Sequence, residues 1–257
     1  MLPPLLIRVT PDNLHKETLF CVKDIKSPGF AVKKQWFLDR YHEGLRLLIM
    51  KDPTGKPIAF IEYLPIEHAW RPVMGNNMLF IHCMFVYANK DKNRGLGSEL
   101  LKACEEDARH NGLDGIAVMS SDGSWMAGKG LFLRNKYHQV DARGRFELLV
   151  KKLNTGSPDP FLIDWTSRHS AYTGWHLVYA DQCPWHEKSV NALKGTASEY
   201  GINLQVTKIS SSEEAKNAPS GTGVFSLLYN GKLLEDHYLS ETRFRSILNK
   251  ELRNNTM

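Results

Sequence analysis

The chain has 257 residues, 42% of them hydrophobic and 24% charged. That is enough apolar matter for one large packed domain or two ordinary ones, and it excludes a disordered or low-complexity chain. Thirty-three Lys and Arg against 28 Asp and Glu leave a scattered net charge of +5, without the clustered basic stripe of a nucleic-acid binder. The four cysteines, Cys21, Cys83, Cys104 and Cys183, keep no metal-ligand spacing, so free thiols and no bound metal are expected. The first seven residues are too short and Pro-broken for a signal peptide. No stretch is apolar for long enough to cross a bilayer. The expected place is the cytoplasm, with neither membrane nor nucleic acid as partner.

In chain order, residues 5–9 read as a strand, and Thr10-Pro11 as the capped start of a helix. A helix over 31–42 groups Trp36, Phe37 and Tyr41, best read as core. Strands over 45–50 and 58–64 flank a turn at Pro53-Thr54-Gly55-Lys56. The polar and aromatic stretch 65–73 follows, then an apolar strand over 78–86. A basic glycine loop, Asp91-Lys92-Asn93-Arg94-Gly95-Leu96-Gly97-Ser98, leads into a helix. That helix has Leu100, Leu101, Cys104 and Ala108 on one face and Glu99, Lys102, Glu105, Glu106 and Arg109 on the other. Asn111-Gly112 ends it. A strand over 115–119, a turn over 120–124, a helix over 125–136 and two strands near 139–140 and 146–150 complete the first half.

The loop is where chemistry is concentrated. Two glycines allow a tight turn and close backbone approach. The first-turn N–H groups of a helix lack internal partners and favour an anion. Lys90, Lys92 and Arg94 add charge beside them, so the expected guest is a phosphate or pyrophosphate. The spacing fits neither a dinucleotide fingerprint nor a P-loop.

Residues 154–160 read as a linker and 161–172 as a tether. The tail then runs strand (176–180), helix (187–200), strand (202–209), short helix (213–217), a hairpin around Asn230-Gly231, and a last helix (241–252). Cys183-Pro184-Trp185-His186 stands at the mouth of its first helix, a position that favours a thiolate.

Strand, Lys92-Asn93-Arg94-Gly95-Leu96-Gly97 loop and helix together resemble the acyl-CoA site of GNAT N-acetyltransferases. That family has Gln or Arg where Lys92 stands. The tail resembles a thioredoxin fold, with Cys183 and His186 in place of its two cysteines and Pro219 ahead of the third strand. The pairing resembles the YoaP-like acetyltransferases, through Glu67-His68-Ala69-Trp70-Arg71-Pro72, Ile81-His82-Cys83, Gly95-Leu96-Gly97 and Tyr229-Asn230-Gly231-Lys232.

The resemblance implies an α/β chain. A GNAT acyl-CoA N-acyltransferase domain (1–153, a mixed sheet flanked by helices) would be joined by a linker (154–173) to a thioredoxin-like domain (174–257). It implies an acyltransferase that moves acetyl from acetyl-CoA to a small-molecule or peptide amine, a homodimer being compatible with this. Met84, Phe85 and Val86 would hold the pantetheine arm. Lys92, Asn93, Arg94, Gly95, Leu96, Gly97 and Ser98 would hold the pyrophosphate. Candidate bases are His82 and Glu67, and Trp70 and Arg71 would meet the acceptor. The tyrosine that protonates the leaving thiolate in many relatives is replaced by Phe132; Tyr137 is offset, and Ser124 is another donor to consider. An alternative is a redox or recognition protein that uses Cys183, its thiolate favoured further by a protonated His186, with the first domain as a CoA-binding scaffold.

Overall fold

The computed structural model describes residues 4–17, 24–92 and 94–254. The chain divides into two compact units: residues up to 25 with 34–69 and 73–163, and residues 26–33 with 70–72 and 164 onward.

The first unit is built on a seven-stranded sheet. Its strands are β1 (Leu5–Val9), β2 (Arg46–Lys51), β3 (Pro57–Pro65), β5 (Met78–Val86), β6 (Gly115–Ser121), β7 (His138–Arg143) and β8 (Phe146–Lys152), with helix α1 (Pro28–Tyr41) between β1 and β2 in sequence. The spatial order is β1-β2-β3-β5-β6-β8-β7. All pairs are antiparallel except β5 with β6, which is parallel. A parallel pair needs a crossover, and helix α2 (Leu96–His110) supplies it. α2 buries Leu96, Leu100, Leu101, Cys104 and Ala108 against Ile61, Tyr63, Leu79, Ile81, Ile116 and Val118. Each such leucine contributes roughly 1.5–3 kcal/mol by leaving water. Trp36 and Phe37 of α1 are buried, in keeping with a packing role. A small ladder of β4 (Val73–Met74) and β9 (Phe161–Leu162) completes the unit.

Two local expectations give way. Thr10 does cap a turn, its Oγ1 accepting the Asn13 N–H at 3.4 Å, while its own N–H donates back to Asn13 Oδ1 at 2.8 Å. Residues 11–16, however, form turns and no helix, and residues 18–23, with Cys21, lie outside the described residues. The helix expected over 125–136 shrinks to α3 (Gly130–Arg134), and Ser120 and Ser121 extend β6. Gly128 and Gly130 fall in the first half of that span and depress helix formation there. Trp125 takes a left-handed φ of 68°, and the Ser120 hydroxyl holds the Ala127 carbonyl instead.

α3 ends in a Schellman turn. Tyr137 N–H reaches Phe132 O and Lys136 N–H reaches Leu133 O, both at 3.0 Å. The same pattern closes α2 at Gly112, but here the left-handed position is filled by Lys136, at φ 65°. A side chain there carries strain of order 1 kcal/mol. Lys136→Gly is therefore expected to raise stability by up to about 1 kcal/mol in denaturant titration; a loss of stability would contradict this account.

The second unit has a four-stranded sheet, ordered β11 (Leu204–Lys208), β10 (Trp175–Tyr179), β12 (Phe225–Tyr229), β13 (Lys232–Glu235). β10 and β11 are parallel and the other pairs antiparallel. Helices α4 (Trp185–Glu199), α5 (Ser212–Lys216) and α6 (Glu241–Asn254) follow β10, β11 and β13. Asn230 and Gly231 make the hairpin turn with φ of 47° and 75°. Val190 and Leu193 of α4 and Phe244 and Leu248 of α6 pack with Trp175, Leu177, Phe225 and Leu227 in its core. Every described peptide bond is trans, Pro219 included, unlike the thioredoxin pattern the sequence suggests.

Candidate active site

β5 pairs with β6 only from Met78 to Ile81, opposite Gly115 to Val118. Yet β5 runs on to Val86, bonded on its other side to β3 as far as Ala59. β6 runs on to Ser121, bonded to β8. The two central strands thus part after Ile81, and residues 82–86 form an edge inside the sheet. Met84 and Val86 pack on the α2 side of the sheet. Phe85 points to the other side and is 44% exposed.

The strands part beside an irregularity. On β3, Glu62 pairs with Cys83 and Tyr63 with Ile81, so His82 is an extra residue in β5. In such a bulge two residues oppose one and the strand bends. His82 and Cys83 therefore both oppose Glu62. The His82 ring packs edge-on to Phe80, 5.3 Å between centroids. His82 is buried, Cys83 half-buried, and Glu62 fully buried. No motif in the sequence marks Glu62. The signal was one carboxylate in an otherwise apolar strand, Ile58-Ala59-Phe60-Ile61-Glu62-Tyr63-Leu64.

α2 begins at the end of β5 where the gap opens. Its N-cap, Gly95, has φ 83° and offers no side-chain cap, so the first-turn N–H groups are left for a ligand. A Cβ at Gly95 would meet nothing, but its φ suits glycine; a Cβ at Gly97 would touch Leu131 at 3.0 Å. Lys92 is exposed. Arg94 is tied to Asp91 at 2.7 Å. The Ser98 hydroxyl accepts from Asn135 Nδ2 at 3.0 Å. Asn93 is outside the described residues.

The other expected site residues have surroundings of their own. Glu67 is exposed, and its carboxylate accepts the Asn77 N–H at 2.7 Å. Asn77 precedes β5, five residues before His82, which at about 3.4 Å per residue places Glu67 near the closed end of the strand pair. Trp70 and Arg71 are buried in the second unit, where the Arg71 guanidinium donates to the Thr222 carbonyl. Phe132 is buried, and Tyr137 is buried beside it, 5.7 Å between centroids. Burial, then the neighbouring Cys104 and Glu105, push the Tyr137 phenol well above its usual range; it is a core group. A cavity of about 390 Å³ lined by Arg8, Glu106, Asp107 and His110 sits by the far half of α2 and has no part in the gap.

In the second unit, Cys183 is half-buried just before α4. His186 is fully buried and its Nδ1 is 2.9 Å from the Ala180 carbonyl. Burial pulls its pKa down to about 4; the Ala180 hydrogen bond opposes this, and Arg71 and Lys33 reinforce it. The ring is neutral at pH 7, so it lends Cys183 no positive charge, contrary to the sequence expectation. Two buried cations stand nearby instead. Lys33 Nζ donates to the Gln182 carbonyl at 2.6 Å, and the Arg71 guanidinium donates to the carbonyl of Thr222, two residues before Val224, whose own carbonyl accepts the Ala180 N–H. Among the described residues no group of three or more His, Cys, Asp or Glu could hold a metal, and no helix is long and apolar enough to cross a membrane.

Comparison with known proteins bears on both units. The acetyltransferase (GNAT) family model matches residues 12–124, and the YoaP-like family model matches residues 203–245. The uncharacterized N-acetyltransferase YoaP of Bacillus subtilis (strain 168) is 29% identical over 249 residues, 95% of this chain and 98% of that protein. An L-methionine sulfoximine/L-methionine sulfone acetyltransferase of Pseudomonas aeruginosa is 29% identical over 94 residues, 37% of this chain and 52% of that protein. A solved GNAT family N-acetyltransferase (YhbS) from Escherichia coli, in complex with CoA, aligns at 13% identity and a TM-score of 0.44, covering 63% of this chain and 91% of that one. Residues 12–124 are thus similar to the acetyltransferase (GNAT) family and residues 203–245 to the YoaP-like family, and these matches together mark the protein as an acyltransferase.

Proposed function

We propose that the protein transfers an acetyl group from acetyl-CoA to the primary amine of a small molecule or peptide. The observation that carries this is the uncapped, glycine-led start of α2 beside the open edge of β5. The pyrophosphate would lie on the loop and first-turn amides of residues 92–98. The pantetheine arm would lie along residues 84–86, bringing the thioester toward His82. The amine gives its proton to His82 and attacks the carbonyl carbon. As the C–N bond forms the C–S bond breaks, and CoA leaves as a thiolate. Phe132 cannot protonate it, so the proton must come from solvent or from the imidazolium just formed.

Calorimetry with acetyl-CoA tests the reading. Gly97→Asp sets a carboxylate against the pyrophosphate, and its Cβ displaces only the flexible end of Leu131. Binding should weaken at least tenfold, about 1.4 kcal/mol. Affinity equal to wild type in a variant with unchanged melting temperature would overturn the site. A broad amine screen with CoA release as readout would then identify the acceptor.

The second unit is read as thioredoxin-like. Its element order, β-α-β-α-β-β-α, and its sheet order support this, and the division after Ile163 supports a boundary within residues 154–173. One observation favours a reactive thiol there. Lys33, buried, donates to the carbonyl of Gln182 next to Cys183, and both Lys33 and the buried Arg71 act on His186 three residues on; nearby cations and a helix start both favour a thiolate. By contrast, burial pushes the Cys104 thiol well up, with Asp107 and Glu105 adding to it. Cys183 should therefore alkylate fastest at neutral pH, by peptide mapping, and more slowly in Lys33→Met. Faster labelling of Cys21 or Cys83 would leave the tail a recognition module.

A further inference from the structure

We propose that Glu62 is the positioning residue of the acetyl transfer, holding the His82 ring where it meets the acceptor amine. The inference rests on the reading of His82 as the base and adds a residue that no motif marks.

The geometry comes from the β3–β5 register. Glu62 is the single β3 residue opposite the two-residue bulge His82-Cys83. Directly opposed residues share a face, with Cβ atoms about 5 Å apart. The Phe80–His82 ring contact places His82 on that same face, because Phe80 pairs with Leu64, two residues from Glu62. Glu62 is 0% and His82 6% exposed. A carboxylic group so deep is costly unless a hydrogen-bond donor meets it. An imidazole N–H can do so, and that bond would fix the tautomer and leave the other nitrogen to take the proton.

Among the described residues of the strands that flank His82, other titratable groups are few. Cys83 adjoins it on β5. Residues 115–121 of β6 carry none, and α2 lies on the opposite face. Glu67 and His68 belong to the short turn beside β5, and both are exposed. Glu62 is thus the buried acidic group in reach.

The test is a double-mutant cycle. Glu62→Gln is expected to lower kcat at least tenfold, with acetyl-CoA affinity within twofold of wild type. The acid limb of its kcat/KM profile should move to lower pH, because a carboxylate that favours imidazolium has been removed. In a His82→Asn background the same change should cost less than twofold, since a residue acting through His82 has nothing left to position. A full tenfold loss in that background, or an unmoved acid limb, would overturn the proposal. Imidazole NMR titration of His82 in wild type and Glu62→Gln needs no turnover. An identical midpoint and shift in both proteins also overturns it. Failure of wild type to bind acetyl-CoA would count against the acetyl-transfer reading and leave the NMR result standing.

Discussion

His82→Asn should reduce kcat for CoA release by about 100-fold or more, the usual worth of a general base, while acetyl-CoA still binds within twofold of wild type. The expectation has three sources. The side chain stands at the bulge where β5 leaves β6. It is buried. Glu67, the rival base, is held at the other end of the strand by Asn77. Asparagine keeps a polar group of similar size, so packing against Phe80 is largely preserved. Steady-state kinetics with calorimetry separates the two effects. Wild-type kcat in the variant would reduce His82 to a core histidine and return the base to an open question.

Acidification should destabilise the second unit through His186. Unfolded, this histidine takes a proton near pH 6.5; folded, it resists protonation down to about pH 4 because it is buried. Between those values the unfolded chain binds more protons, so stability falls as pH falls. The contribution is complete above pH 6.5 and is lost progressively toward pH 4, on the order of 3 kcal/mol in all. Denaturant titrations at pH 7 and pH 4.5 measure it. His186→Gln keeps a donor for the Ala180 carbonyl and removes the titration, so its pH slope over this range should be markedly flatter. An equal slope in both proteins would mean that other groups dominate acid unfolding.

What the sequence made legible was local. The bounds of β5, the glycine start of α2 and the Asn230-Gly231 turn are written in apolar runs and in residues that tolerate unusual φ. The helix expected over 125–136 was shortened for a local reason as well, since Gly128 and Gly130 outweighed the apolar spacing of its first half. The rest depends on partners distant in sequence. A bulge is a mismatch between two strands, so His82 alone cannot announce it, and Glu62 gains meaning only from the register across β3 and β5. Likewise Arg71, expected from the sequence to meet the acceptor, donates to the Thr222 carbonyl, a partner 151 residues away that no local pattern shows. The burial that neutralises His186 is tertiary, and its motif gave the opposite expectation.

The parting of β5 and β6 also acts as a filter by width. An edge on the outside of a sheet invites any extended chain to add to it. Residues 82–86 are an edge of another kind, bounded by β3 on one side and by the continuing β6 on the other. A strand of a second protein, with side chains on both faces and neighbours of its own, has no way in. A slender chain that carries amides and no branch larger than a methyl or hydroxyl could enter end-on and bond to the exposed peptide groups. Pantetheine is such a chain, so the same opening that admits the donor would keep β5 from becoming a site of aggregation.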